Sequence, residues 1–161
     1  MRAVVQRVSN ASVTYHIEKD VLGSERAEKL LSGSISQGII IYLGIGIDDV
    51  ESDAKYLADK IAHLRIFMDE QGRMNLSILE KGFDALVISQ FTLFADTRKG
   101  RRPSYSLAAE PERAQLLYRY FCDELRKNGV LVQTGKFKEI MEVNYTNEGP
   151  VTILVDSKKI F

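Results

Sequence analysis

The chain has 161 residues, with 22 basic and 22 acidic side chains, no net formal charge, 45% hydrophobic residues and 27% charged ones. This balance suits one domain with a real core, excludes a disordered chain, and restricts any nucleic-acid contact to local patches of positive charge. The longest apolar run, around GIIIYLGIGI, is far short of a membrane span, MRAVVQRVSN carries Arg2, Gln6 and Arg7 where a secretory leader is apolar, and the one cysteine, Cys122, rules out an internal disulfide. A cytoplasmic protein without a membrane partner is expected.

Residues 2–8 (RAVVQRV) and 11–15 (ASVTY) read as strands separated by a turn at Ser9-Asn10. The polar stretch 16–37, broken by Gly23 and Gly33, reads as an elaborated hairpin or excursion with weakly specified structure. IIIYLGI (39–45) is β-branched and bounded by glycines, which suits a buried central strand. Asp48 and Asp49 then introduce a helix over about 50–65, on which Ala54, Leu57, Ala58, Ile61 and Leu64 keep helical spacing. A turn at Asp69–Gly72 separates two short extended pieces, and DALVISQFTLFA (84–95) reads as a single strand. Pro111 opens a second helix with the stripe Ala114, Leu117, Phe121, Leu125, ending at Asn128-Gly129. VLVQT, EIMEVNY and PVTILVD supply three more strands. Strands interrupted by two helices, with no repeat and no linker, predict a single α/β domain over 1–161, its sheets packed with helices on one side.

The usual catalytic residues are scarce. His16 and His63 have no cysteine or histidine neighbours at ligand spacing, so a metal site is not expected. Cys122 beside Phe121 suits a buried inert thiol, and Asp48, Asp49 and Glu51 suit capping and the macrodipole of the first helix. GIGIDD lacks the third glycine of a dinucleotide fingerprint, and a strand-to-helix turn suffices there.

Three stretches resist so plain an explanation. SQFT places Ser89, Gln90 and Thr92 among Phe91, Leu93 and Phe94. In an extended strand Gln90, Thr92 and Phe94 share one face and Ser89, Phe91 and Leu93 the other. The polar groups either bond neighbouring strands or form a strand end where backbone N–H groups and short side chains meet a carbonyl. NEGPVT, Asn147 to Thr152, contains a Gly-Pro that is either an ordinary turn or a cis bond that re-aims successive carbonyl oxygens. DTRKGRRP gathers Arg98, Lys99, Arg101 and Arg102, which form either a solvated face or a set of phosphate ligands.

Taken together, MRAVVQRVSNASV, LRIF, GRMNLS, SQFTLFADTRKGRRPSY and NEGPVTILVD resemble the D-aminoacyl-tRNA deacylases over nearly the whole chain. A paralogous animal-type group replaces the serine of the SQFT motif with proline; Ser89 favours the main group. The resemblance implies two packed, barrel-like sheets, a homodimer, and hydrolysis of the ester joining a D-amino acid, or glycine, to the terminal adenosine of a tRNA. It implies no cofactor and no metal. Each site would combine Ser89, Gln90, Phe91 and Thr92 of one subunit with a cis Gly149-Pro150 of the other, and Phe137 and Met141 would shape an adenosine pocket. Two departures stand out: a longer stretch between Val13 and Gly38 than the compact hairpin common in bacterial members, and Lys138 where the family usually has glycine.

An aminoacyl ester is already activated, so the expected work is oxyanion stabilisation by N–H donors near Phe91 and by Gln90. No base for Thr92 is visible, which favours hydrolysis assisted by the substrate's ribose hydroxyl over nucleophilic attack. Backbone carbonyls of Gly149 and Pro150 would hold the α-amino group and leave an L side chain no room. The competing readings are a non-catalytic tRNA- or DNA-binding module using the 98–102 patch, and a hydrolase for small D-amino-acid esters.

Overall fold

The computed structural model describes residues 1–17 and 28–160. Among the described residues there are eight strands: β1 (Arg2–Ile17), β2 (Glu28–Ile35), β3 (Gly38–Gly44), β4 (Phe67–Met68), β5 (Met74–Leu76), β6 (Asp84–Ser89), β7 (Val132–Thr134) and β8 (Met141–Asp156). The helices are α1 (Glu51–Ala62), the single turn α2 (Ile78–Lys81) and α3 (Pro111–Lys127).

Six strands form one sheet in the order β2-β1-β3-β6-β7, and β8 pairs with the other edge of β1. Two packed sheets were expected; instead one sheet curls into a nearly closed barrel, and β4-β5 is only a two-stranded ribbon. The curl comes from β1. Its predicted break at Ser9-Asn10 is no turn, because β1 runs through it, pairing with β3 over Arg2–Val8 and with β2 over Ala11–Ile17. Against β8 its register shifts on both sides of Val8. Ala3 and Val5 face the helices, whereas Val8, Ala11 and Val13 all join the opposite core. Unbroken alternation would return Ala11 and Val13 to the first face, so the irregularity switches the inward side and bends the strand.

The helices lie on one side, as expected. Leu57, Ala58 and Ile61 of α1 and Leu117, Phe121 and Leu125 of α3 pack with Ile39, Ile41 and Val87 into one fully buried cluster. Each such Leu, Ile or Phe contributes roughly 1.5–3 kcal/mol of apolar burial. On the other face Ile40, Leu86 and Ile88 fill the inside of the curl with Val8, Val13 and Ile35. The β3 strand is buried on both faces, which is why IIIYL shows no alternation.

Asp49 does not cap α1, contrary to expectation. It is buried, and accepts from the Met1 α-ammonium at 2.5 Å and from Gly46 N–H at 2.6 Å. The cap is Val50, whose N–H donates to Asp53, and Glu51 and Asp53 supply the acids of the first turn. Within the 16–37 excursion, residues 28–35 form an antiparallel ladder with β1 that is broken by one register shift between Val13 and Thr14. Residues 18–27 lie outside the described part.

Candidate active site

The parallel strands β3 and β6 end side by side, Leu43 opposite Ser89. The carboxyl ends of parallel strands are where ligands enter open α/β sheets, and here they open into a cleft of about 640 Å³. Ser89, Gln90 and Phe91 lie on one wall, with Tyr105. Phe137, Lys138 and Met141 lie on another, and the start of α3 closes a third.

The predicted strand 84–95 stops at Ser89. Gln90 N–H still donates to Leu43 O at 2.9 Å, but Phe91–Phe94 winds into a 3₁₀ turn. The even–odd division of side chains expected for residues 89–94 therefore fails. Gln90 and Thr92 still meet, now across the turn, where the Gln90 amide donates to the Thr92 hydroxyl. Polar residues at a strand-to-turn junction have local partners that a strand interior denies them, which is why SQFT could not continue as an apolar strand.

The first N–H groups of a helical turn have no intrahelical acceptor. Leu93 N–H bonds Gln90 O and Ala95 N–H bonds Thr92 O, whereas Phe91 N–H and Thr92 N–H make no bond among the described residues. Two unpartnered donors thus sit beside Gln90, an arrangement suited to a developing oxyanion; Phe91 lines the cleft, and Thr92 lies just behind that wall. The second hydrogen of the Gln90 amide remains free to join them.

Three residues that the sequence reading did not single out hold this turn. Arg2 donates to Leu93 O at 3.0 Å and stacks on the Phe94 ring at 4.5 Å. Asp156 fixes the same guanidinium at 3.1 Å. Gly44 lies beneath the turn: a Cβ there would be 2.9 Å from Leu93 Cβ and 3.0 Å from Gln90 O. Only the periodicity break after Ser89 hints at such a close approach, and it does not say which residue must be small.

Phe137 and Met141 line the cleft. Lys138 has φ 68°, the left-handed conformation that favours glycine. A side chain there costs roughly 1–2 kcal/mol relative to the right-handed form.

The NEGPVT segment lies within β8 rather than between two strands. Thr152 pairs with Gln6 and Asn147 with Val8, so residues 148–151 bulge out opposite Arg7 alone. Asn147 staples the bulge, its Oδ1 accepting from Val151 N–H and its Nδ2 donating to Thr152, each at 3.2 Å. Arg7 is buried beneath, donating to Ile66 O at 2.6 Å, with its other nitrogen 2.9 Å from where a Gly149 Cβ would be. The Gly149-Pro150 bond is cis, and both residues are exposed. Neither lines the cleft of its own chain.

The basic run occupies the loop between Asp96 and Ser104, which bridge each other. Arg98 is not a free cation. It chelates Asp96 at 2.9 and 2.7 Å, and this pairing holds the Asp96 carboxyl down at about 2. The contribution of a depressed carboxyl is complete above the ordinary carboxylate value and is lost progressively as pH falls from there through about 2. Lys99, Arg101 and Arg102 are exposed, with no ion pair among the described residues.

The histidines are elsewhere: His16 bonds Glu142 on the β1–β8 ladder, and His63 donates to Asp59 O. Cys122 is buried, which pushes its thiol up to about 12. Among the described residues no three His, Cys, Asp or Glu side chains gather at metal-binding distance. No described helix is long and apolar enough to cross a membrane.

The family model for D-Tyr-tRNA(Tyr) deacylase matches residues 4–156. The chain belongs to that family. D-Tyr-tRNA(Tyr) deacylase relatives extend over its full length: a protein named D-aminoacyl-tRNA deacylase from Koribacter versatilis (strain Ellin345) is 52% identical over 161 residues, covering 100% of both chains. One of the same name from Roseiflexus sp. (strain RS-1) is 56% identical over 157 residues, 98% of this chain and 94% of its own. The solved structure titled "c-Myc DNA Unwinding Element Binding Protein" superposes with TM-score 0.84 at 38% identity, covering 97% of this chain and 98% of its own. A probable eukaryotic D-amino acid tRNA deacylase superposes with TM-score 0.73 at 17% identity, over 96% of this chain and 98% of its own, and shares the fold.

Proposed function

We propose that this protein hydrolyses the ester between a D-amino acid and the terminal adenosine of a tRNA, removing wrong-handed residues, and glycine, before translation uses them. Family membership over residues 4–156 carries this reading. The cleft supports it, because two free N–H groups beside Gln90 provide for the one species the reaction must stabilise.

The ester carbonyl sits against Ser89, Gln90, Phe91 and Thr92. Water attacks the carbonyl carbon, the oxyanion takes hydrogen bonds from the Phe91 and Thr92 N–H groups and the Gln90 amide, and the ribose oxygen leaves with a proton. The neighbouring ribose hydroxyl orients the water, since no histidine lines the cleft. Phe137 and Met141 flank the adenine. No cofactor takes part.

The chiral filter is supplied by Gly149 and Pro150 of a second copy, in a cytoplasmic homodimer. In support, both residues are exposed on a braced bulge and lie outside the cleft of their own chain. Their carbonyls capture the α-amino group and leave space on one side of the α-carbon only. A pocket that reads one methyl more or less gains only about 1–3 kcal/mol, and rejection by backbone exceeds that because the clash cannot relax.

The deciding assay follows free tyrosine from D-tyrosyl-tRNA, L-tyrosyl-tRNA and D-tyrosine methyl ester. D-Tyrosyl-tRNA should be cleaved and L-tyrosyl-tRNA spared, with the methyl ester a poor substrate. Binding of tRNA without release of tyrosine would support the non-catalytic module instead.

Lys99, Arg101 and Arg102 hold tRNA phosphates, and Arg98 does so less because Asp96 already occupies it. Neutralising Lys99 and Arg101 should weaken tRNA binding and flatten the log–log salt slope by about 0.7 per lost contact, whereas Arg98→Gln should change it less. An unchanged slope would make the loop a solvated face.

A further inference from the structure

A second cleft of about 360 Å³ adjoins the first, and Phe137 lines both. Its walls are the outer face of α3, with Arg119, Asp123 and Arg126, and the end of β7 with the segment after it, Thr134, Gly135 and Lys136. Three cations face one acid. That acid is already paired, since Arg126 binds Asp123 at 2.9 Å and turns its other nitrogen to Val132 O at 3.2 Å. Arg126 is thereby a strut of the wall. Arg119 and Lys136 are exposed and make no ion pair among the described residues; Lys136 lies only over the Tyr15 ring, at 5.7 Å.

A half-open cleft with two uncommitted cations on its rim suits an anion, and its position says which one. A nucleoside resting on Phe137 in the larger cleft has a single chain leaving it, through its 5′ phosphate. We infer that the second cleft holds the phosphodiesters just before the terminal adenosine, the single-stranded 3′ end of the tRNA, with Arg119 and Lys136 as the phosphate ligands. The inference rests on the proposed deacylase reading and extends it from the terminal nucleoside to the strand that carries it. Guanidinium binds phosphate oxygens bidentately and the ammonium acts as a point charge, so the pair fixes the strand without reading its bases.

This contact is separate from the 98–102 run, which is attached to the Phe91–Tyr105 wall of the larger cleft. The 3′ strand would be gripped from the Phe137 side and the rest of the acceptor arm from the other.

The test compares two substrates, D-tyrosyl-tRNA and 2′(3′)-O-D-tyrosyl-adenosine, which has no phosphate, with wild type and the double variant Arg119→Gln/Lys136→Gln. Wild type should cleave the tRNA far more efficiently than the nucleoside ester. In the variant, kcat/KM for the tRNA should fall about tenfold or more near 0.15 M salt through KM, with a salt slope lower by about 1.4, two contacts at 0.7 each. Cleavage of the nucleoside ester should be unchanged. Anisotropy of a labelled single-stranded oligonucleotide ending in CCA should show the same loss of affinity, and inorganic phosphate should compete weakly with wild type. Equal loss on both substrates would assign the two residues to the adenosine cleft or the fold, and no loss on either would leave the cleft without a ligand; both results overturn the inference. If wild type cleaved neither substrate, the deacylase reading itself would fall, and this inference with it.

Discussion

Gly44→Val should reduce kcat/KM for D-aminoacyl-tRNA by two orders of magnitude or more while the protein still folds. The reason is geometric. The 3₁₀ turn carrying Phe91 and Thr92 lies directly on Gly44, where even a Cβ would be 2.9 Å from Leu93 Cβ, 3.0 Å from Gln90 O and 3.2 Å from the Phe94 ring. Two of those neighbours are close to the backbone and cannot rotate away. Valine adds two methyl groups beyond the Cβ, so the turn must lift. A displacement of about 1 Å of an oxyanion donor costs on the order of 10²-fold. The stability cost should be smaller, roughly 1–3 kcal/mol of overpacking, seen as a Tm lowered by about 3–10 °C. Gly44→Ala should fall between. A folded Gly44→Val protein with wild-type turnover would show that the turn is not the catalytic element.

Thr92→Ala should slow turnover but not abolish it. The Thr92 hydroxyl accepts from the Gln90 amide, and no histidine lines the cleft to take its proton. Its contribution is then to hold Gln90 in place rather than to attack. Losing a partly buried hydrogen-bond partner costs about 1–3 kcal/mol, or roughly ten- to a hundredfold when the bond positions a catalytic amide. Thr92→Ser keeps the hydroxyl and should recover most of the rate. Single-turnover kinetics with mass spectrometry of the quenched enzyme provides the check. A covalent aminoacyl group on Thr92, or a Thr92→Ala protein with no rate above background, would establish the nucleophilic route instead.

What could be read from the chain was whatever depends on near neighbours. Helical spacing from Ala54 to Ile61 and from Ala114 to Leu125, with Pro111 and Gly129 as punctuation, placed α1 and α3 within a few residues, because those patterns are local. The unbroken IIIYL run announced a strand buried on both faces. The Ser89–Thr92 and Asn147–Thr152 stretches stood out because their polarity had no local use.

The errors share a cause. Local signals predict a turn at Ser9-Asn10 and an interruption between strands at Gly149-Pro150, yet both are irregularities inside long strands, kept extended by partners more than a hundred residues away. The turn after Ser89 was hidden because FTLF has ordinary strand propensity; Gly44 beneath and Arg2 at Leu93 O decide its conformation. A cap is the local use of an acid before a helix, which predicts that role for Asp49, but the Met1 ammonium claims it. Arg98 is the exception among the basic residues of its loop, since its partner Asp96 lies only two residues before it. Local propensity is encoded in adjacent residues. Register, close approach and the ownership of a charge are settled by residues distant in the chain, so they became visible only once the sheet had closed.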